Sequence, residues 1–172
     1  VELMETGPLL VPIIDSKHYE RVSIELGVKL KPYFEFKKEF RKYLNILCQD
    51  LTIRLKLDKG GVIYIKLKRG FAFDFASVPE WLRGRFPSND KNMIIPALIH
   101  DALFDCKTFS FSQSNKFYYQ LMRLYKNGWW RSKFYYWGVC TNIAKDRFEE
   151  GKRGNFCSID WRSKEIKKDP NY

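Results

Sequence analysis

Histidine and cysteine are scarce in this sequence, and their scarcity excludes several kinds of site. Only two histidines occur, His18 and His100, so a metal site that needs several imidazole ligands, such as that of a His-Asp phosphohydrolase, is excluded. The cysteines show no C-x-x-C spacing, and we therefore expect neither a zinc site nor a disulfide framework. We interpret all four as reduced thiols of a cytosolic protein. They are Cys48, Cys106, Cys140 and Cys157.

Long apolar runs are also missing. No stretch of about eighteen apolar residues occurs, so the sequence predicts no transmembrane helix. The apolar segment 7–14 is too short for a membrane span and lacks the basic flank of a secretory signal. With 172 residues, 17% of them aromatic, the chain is expected to form one domain that buries about two thirds of its unfolded surface.

Acidic residues are few relative to basic ones. Thirty-one Lys and Arg oppose twenty Asp and Glu, which gives a net charge of +11 at pH 7. A surplus of this size favours contact with polyanions. We therefore expect an acidic protein surface, nucleic acid or anionic lipid as the partner.

Alternating residues on both sides of the turn at 59–61 predict a β-hairpin. A three-residue loop pairs Leu57 with Ile63 and Leu55 with Ile65. The outer face is then basic, and it is interpreted either as a solvated face or as a surface that contacts nucleic acid. The basic residues concerned are Arg54, Lys56, Lys66 and Lys68.

The tracts FAFDFASVPEWL and PALIHDALF hold the unusual polar residues of the sequence. In the first, phenylalanines alternate with Ala72, Asp74 and Ala76, which predicts a third strand with Asp74 between two alanines on one face. In the second, His100 and Asp101 are adjacent within a helical pattern. Because small residues let a helix approach a sheet, we expect the helix that carries His100 to lie above Asp74.

Three helices are predicted after the third strand. The first contains His100. The second begins near Ser110 or Ser112 and ends at Gly128. The third runs from residue 129 to about 148, and we expect its aromatic stripe in the core rather than on a base-stacking surface.

These elements predict an α+β fold, in which a small antiparallel sheet of about three strands, including the hairpin, packs against three helices. Segments 22–30 and 33–47 fit either a helix or a strand. Within a single domain, we expect an N-terminal arm and mixed segment at 1–50, a core at 51–150 and a basic C-terminal extension at 151–172.

The tracts GFAFDFASVP and IHDALF, followed by a Ser-initiated helix ending in QLM, resemble an uncharacterised family encoded by bacteriophages and prophages. Members carry a G-F-x-T-D-F-A-S-V-P tract, an H-D-x-L-Y tract and a helix with A-D-x-x-F. The resemblance covers roughly 51–140, with Phe104 in place of the family's Tyr and Asn115 in place of its Asp. It implies an accessory phage protein, either virion- or tail-associated or an interaction module, with other phage structural proteins as partners. Such a protein is expected in the host cytoplasm during infection or in the virion.

The helix pair is also similar to the catalytic helices of secreted and parvoviral phospholipases of the A2 type. That similarity makes His100 the general base, Asp101 a Ca²⁺ ligand and Asn115 the residue that orients the imidazole, with Asp74 as a substitute ligand. An Asn cannot stabilise an imidazolium as a carboxylate does, and the glycine-rich calcium loop of those enzymes is missing. Two hypotheses remain open: a hydrolase that acts on the host envelope, or a buried hydrogen-bonded network in which the same four side chains specify packing.

Overall fold

The structure, a computed structural model, describes residues 19–26, 40–56, 61–73 and 91–162. Within these ranges it contains six strands and four helices, which confirms the predicted α+β class. The elements are β1 (Tyr19–Leu26), β2 (Phe40–Leu47), β3 (Leu51–Lys56), β4 (Val62–Leu67), β5 (Ala72–Phe73), α1 (Lys91–Cys106), α2 (Phe111–Leu124), α3 (Trp129–Val139), α4 (Asn142–Glu150) and β6 (Cys157–Arg162).

The strands form two antiparallel three-stranded sheets instead of the single sheet predicted. One has the order β1-β2-β5 and the other the order β3-β4-β6. The first sheet exists because the ambiguous segments near 22–30 and 33–47 contribute strands. The second gains β6 from a stretch in which the sequence pattern is weak, so β4 is a central strand and not the edge of an isolated hairpin.

The hairpin of β3 and β4 is present, but its register differs from the predicted one. Leu55 pairs with Ile63 and Ile53 with Ile65, a displacement of two residues, so the predicted pairing of Leu55 with Ile65 is wrong. The alternation of side chains fixes a register only to within multiples of two, because the side-chain period of a strand is two. The apolar face is therefore unaffected, and Ile53, Leu55, Ile63 and Ile65 are all buried.

The main core lies where α1 packs against β4, β5, β6 and α2. Removal of these apolar side chains from water is the principal stabilising term of such a layered fold. Fully buried members from the sheets and helices include Leu47, Ile53, Leu55, Ile65, Phe73, Leu98, Ile99, Leu103, Phe117 and Leu121.

Pro96 lies inside α1 and not at its start. A proline has no N–H, so the carbonyl of Asn92, four residues earlier, loses its helical donor. The side-chain amide of Asn127, which is buried at the turn between α2 and α3, donates to that carbonyl over 3.0 Å. A residue outside the helix therefore replaces the missing bond and permits the proline.

The predicted third helix is wrong as a single element, since it is divided into α3 and α4. Thr141 caps the N-terminus of α4, where its hydroxyl oxygen accepts a hydrogen bond from the amide of Ala144. The predicted start of α2 is confirmed, because Ser110 and Gln113 form a capping box. The helix ends at Leu124, and Gly128 is the residue that precedes α3.

Cys106 and Cys157 form a disulfide with a Cα separation of 5.5 Å, which joins the end of α1 to the start of β6. The interpretation of all four cysteines as reduced thiols is therefore wrong for this pair. Spacing in the sequence gives no signal for it, because 51 residues separate the two positions. Cys48 and Cys140 are free and exposed.

Candidate functional site

His100 is held inside the fold by packing on both sides of its ring. Its side chain is buried, with 7% of the residue exposed. The ring centroids of Phe104 and Tyr118 lie 4.3 Å and 4.5 Å from that of His100. Because Phe104 is one turn along α1 and Tyr118 is on α2, the imidazole fills the interface between the two helices.

Asn115 determines which nitrogen of His100 carries the proton. Its Oδ1 lies 2.8 Å from His100 Nε2, and its Nδ2 donates to the carbonyl of Val139 over 3.3 Å. The reverse orientation of the amide would place two acceptors together at Val139. His100 Nε2 therefore donates to Asn115 Oδ1.

Asn115 thereby connects three helices. It lies on α2, accepts from His100 on α1 and donates to the last residue of α3, whose carbonyl has no partner within its own helix. The Cys140 thiol also lies within hydrogen-bonding reach of the Asn115 side chain and of the Tyr136 hydroxyl. Asn115 has no exposed surface, so its satisfied donors and acceptor make it a fixed centre of the helical layer.

Cys140 and Tyr136 extend this network beyond the residues predicted from sequence. Although part of Cys140 is exposed, partial burial of its thiol raises the pKa of that group, and the neighbouring Tyr136 and Asn115 side chains lower it in part. Burial also raises the pKa of Tyr136, with a further rise from its hydrogen bond with Cys140. Both side chains are therefore protonated at neutral pH and act as neutral hydrogen-bonding groups.

Asp101 lies between His100 and a cavity. Its Oδ1 is 3.8 Å from His100 Nδ1, which is too long for a hydrogen bond, and 27% of its side chain is exposed. It lines a cavity of about 330 Å³, whereas His100 does not. The walls are three phenylalanines, two carboxylates and three cationic side chains together with small residues: Phe71, Ala72, Asp101, Phe104, Asp105, Lys107, Arg147, Phe148, Gly151 and Lys152.

The sequence predicted that the helix carrying His100 lies close above the strand face of Ala72 and Asp74, but the surroundings of Ala72 are different. Phe71 and Phe73 are buried, but Ala72 is exposed and opens onto the cavity that Asp101 also lines. The expected close contact between α1 and this strand face is therefore replaced by a space at Ala72. Asp74 itself lies outside the described residues.

Asp105 follows Asp101 by one helical turn and was not singled out from the sequence, although an i,i+4 pair of carboxylates is a recognisable signal. Burial raises the pKa of its carboxyl group, and the backbone N–H of Cys157, which donates to that group, lowers it in part. Its backbone carbonyl accepts from the amide of Gly154 over 3.0 Å. Asp105 thus holds the 154–157 segment against α1, which leaves its carboxylate poorly placed as a second metal ligand.

Calcium binding by Asp101 has little support in the described part of the chain. No group of three or more His, Cys, Asp or Glu side chains there is arranged to hold a metal ion. Ca²⁺ requires six to eight oxygen ligands, and Asp101 with a partly occupied Asp105 supplies too few. The described residues therefore do not fit a calcium site.

A carboxylate from β6 lies beside the predicted basic face of the hairpin, and the sequence pattern did not predict it. Lys66 forms an ion pair with Asp160 of β6 at 3.2 Å. The predicted register would set Arg54 opposite Lys66, but Arg54 lies opposite Tyr64 in the structure. Lys68 is exposed, and the side chain of Lys56 lies outside the described part of the structure. Only part of the predicted cationic set is therefore available to a partner on this face.

Three tryptophans on α3 form an exposed surface, which we call the aromatic surface: Trp129, Trp130 and Trp137. Trp130 is 74% exposed and Trp137 is 59% exposed, and their spacing of seven residues places them on one side of the helix. Trp129 contacts Trp130 edge to face, with ring centroids 4.4 Å apart. The expectation that this aromatic stripe lies in the core is therefore wrong for its tryptophans. Ser132 and Tyr135 are the buried residues of α3.

None of the helices in the described ranges has the length and apolar character needed to cross a membrane. No curated protein and no solved structure matches the chain. A family model described as a protein of unknown function, DUF1353, matches residues 49–139, which include the hairpin, His100, Asn115 and the tryptophans of α3. More than half of the 172 residues are matched, and the chain belongs to the DUF1353 family.

Proposed function

We propose that this protein is an accessory bacteriophage protein that acts by binding a partner through the aromatic surface, and not by catalysis. The phage assignment rests on the GFAFDFASVP and IHDALF tracts and their resemblance to phage and prophage proteins. The binding role rests on one observation, the exposure of Trp130 and Trp137 on a helix that has no acidic residue. Exposed tryptophans at such density are typical of binding surfaces.

The geometry of His100 supports a structural role for the predicted catalytic group. The imidazole is enclosed by two rings, is hydrogen-bonded to Asn115 and has no part in the cavity wall. A general base must reach the proton that it abstracts. The enclosed ring is better suited to fixing the positions of α1 and α2.

The disulfide supports a place in the virion. Disulfides persist in oxidising surroundings and are rare in the reducing cytoplasm. The Cys106–Cys157 bond therefore favours a protein that leaves the host cell in the particle over one that remains in the host cytoplasm.

The test combines particle composition with phage yield. Purified particles of a phage that encodes the chain are expected to contain it at a fixed ratio to the major capsid protein. A phage with Trp130→Ala and Trp137→Ala is expected to plate less efficiently than its parent, since the loss of a tryptophan hot spot weakens binding by at least about tenfold. Phe156→Ala is the matched control, because Phe156 is also exposed but lies outside α3.

Two results would refute this proposal. One is the absence of the chain from purified particles, which removes the virion role. The other is normal plating of the double tryptophan variant with the folded protein present, which removes the binding role of the aromatic surface.

A lipid or ester hydrolase is the second candidate, and one feature favours it. His100 Nδ1 lies 3.8 Å from Oδ1 of Asp101, and Asp101 reaches the cavity. If the imidazole acts as a base, Asn115→Asp should increase release of fatty acid from phospholipid vesicles, because a carboxylate stabilises the imidazolium. His100→Ala should abolish that release. We expect no release from the parent or from Asn115→Asp, with or without Ca²⁺.

A further inference from the structure

We propose that the partner of the aromatic surface is the face of an anionic phospholipid bilayer. This inference names the partner for the binding role proposed above and so rests on it. It is carried by two independent features of the helices, the distribution of charge and the nature of the exposed apolar side chains.

The chain segment that carries the aromatic surface has charges of one sign. From residue 106 to residue 145, across α2 and α3, the sequence contains no Asp or Glu. A segment with basic and no acidic side chains is attracted to a uniform sheet of negative headgroups, without the pairwise matching of both signs that protein partners usually show. The basic residues on α2 and α3 and in the turn between them are Lys116, Arg123, Lys126, Arg131 and Lys133.

Tryptophan is suited to the boundary between headgroups and acyl chains, because its ring is apolar and its indole N–H is a donor. Trp130 and Trp137 present most of their surface to solvent. Leu124 at the end of α2 and Ile143 near the start of α4 are also exposed, so apolar side chains lie both before and after α3. A short helix with aromatic and aliphatic residues beside Lys and Arg is the composition of an interfacial helix.

Single-stranded nucleic acid is the main competing partner of a basic aromatic surface, and the geometry favours it less. Bases stack on free aromatic faces. Trp129 and Trp130 meet edge to face at 4.4 Å, so one ring face is covered by its neighbour. The exposed aliphatic side chains of Leu124 and Ile143 suit a lipid surface and offer no stacking face to a base.

The experiment measures co-flotation of the full chain with vesicles. Vesicles of phosphatidylcholine alone are compared with vesicles that contain about one third phosphatidylglycerol. We expect binding to the anionic vesicles at about 50 mM NaCl, a loss of at least about tenfold at about 500 mM NaCl, and little binding to the neutral vesicles. A blue shift of tryptophan emission should accompany the binding.

Variants locate the contact. Trp130→Ala with Trp137→Ala should weaken binding to anionic vesicles by at least about tenfold, since two large interfacial side chains are removed. Phe156→Ala, at a position 46% exposed, should bind as the parent does. Circular dichroism and thermal unfolding show that each variant folds, and both tryptophans are exposed enough for the change to be tolerated.

Three outcomes would overturn the inference: no binding to anionic vesicles at low salt, equal binding by the double tryptophan variant, or preferential binding of oligo-dT over the vesicles. If vesicles fail to bind but the tryptophan variant still reduces plating efficiency, the binding role stands and the partner is a protein or nucleic acid. If vesicles bind but the tryptophan variant plates normally, the proposed function fails while the lipid contact stands.

Discussion

His100 Nε2 lies 2.8 Å from Asn115 Oδ1 across the interface of α1 and α2. The same asparagine donates to the carbonyl of Val139, so a single side chain sets the tautomer of the histidine and completes the end of α3. An Asp at this position would accept from His100 but has no donor for Val139. This chain therefore uses the amide for a connection that a carboxylate does not provide.

Asn115→Leu is expected to lower the free energy of unfolding by about 2 to 4 kcal/mol, because the His100 N–H and the Val139 carbonyl both lose their partner in a buried place. Urea unfolding measures the change. Lys116→Leu, one residue along the same helix and exposed, is the control and should change stability by less than about 0.5 kcal/mol. Equal effects at the two positions would show that Asn115 contributes no particular connection.

His100→Asn is expected to lower the free energy of unfolding by more than about 2 kcal/mol, since the ring that contacts Phe104 and Tyr118 is replaced by a smaller group. Thermal unfolding followed by circular dichroism provides the measurement. A residue that is kept for catalysis usually lowers the stability of the folded protein. An unchanged or raised melting temperature would therefore contradict the structural role and favour the hydrolase candidate.

Reduction of the Cys106–Cys157 bond should destabilise the fold by about 4 kcal/mol, the loop-entropy value for a closed loop of 51 residues. The comparison is the melting temperature with and without a reductant. A Cys48→Ser, Cys140→Ser variant retains the disulfide and should show the same loss. Free thiols titrated at all four positions in protein from an oxidising preparation would contradict the bond.

Asp105→Asn tests how much the partly buried Asp105 carboxylate lowers the free energy of unfolding, and how this effect depends on pH. The raised pKa means that the folded protein binds the Asp105 proton more tightly than the unfolded chain, so this group costs stability as the pH rises above its ordinary value of 3.8. We expect the variant, which keeps an acceptor for the Cys157 amide, to exceed the parent by up to about 1 kcal/mol near neutral pH, since the group is partly solvated. The difference should vanish below pH 3.8, and a difference independent of pH would point to packing.

Gly154 and Gly138 are expected to respond in opposite directions to substitution by alanine. A Cβ on Gly154 would overlap the Asp105 carboxylate, whereas a Cβ on Gly138 meets nothing within 4 Å. Gly154→Ala should lower the free energy of unfolding by about 1 to 3 kcal/mol through overpacking. Gly138→Ala lies inside α3 and should raise the free energy of unfolding by about 0.5 to 1 kcal/mol, because alanine has the higher helix propensity. Chemical denaturation measures both, and a neutral Gly154→Ala would show that the carboxylate moves freely.

Local patterns predicted much of the fold. The period of two located β3 and β4, and the Ser110 capping box located the start of α2, because these signals depend on residues close in sequence. The same alternation could not choose between registers two residues apart. The division of α3 from α4 was missed because the aromatic pattern continues through Cys140, while the Thr141 cap that separates the helices is a weaker signal.

The candidate site was predicted in part. Sequence reasoning paired His100 with Asn115 through the resemblance to the phospholipase helix pair, and the structure brings the two side chains together. The same reasoning did not find the bond from Asn115 to Val139 or the neighbouring Cys140, since both depend on where α3 ends in space. It also placed the tryptophans in the core, because periodicity shows which residues share a side of a helix and not which side faces the interior.

The sequence by itself determined the α+β class, the alternating strands of the hairpin, the charge excess and the acid-free segment from 106 to 145. These properties are set by composition and by contacts among near neighbours. Only the tertiary structure decided the second sheet, the Cys106–Cys157 bond, the enclosure of His100 and the exposure of Trp130 and Trp137. Each of these depends on contacts between residues distant in the chain, and packing of the whole chain, rather than any local pattern, selects which faces are buried.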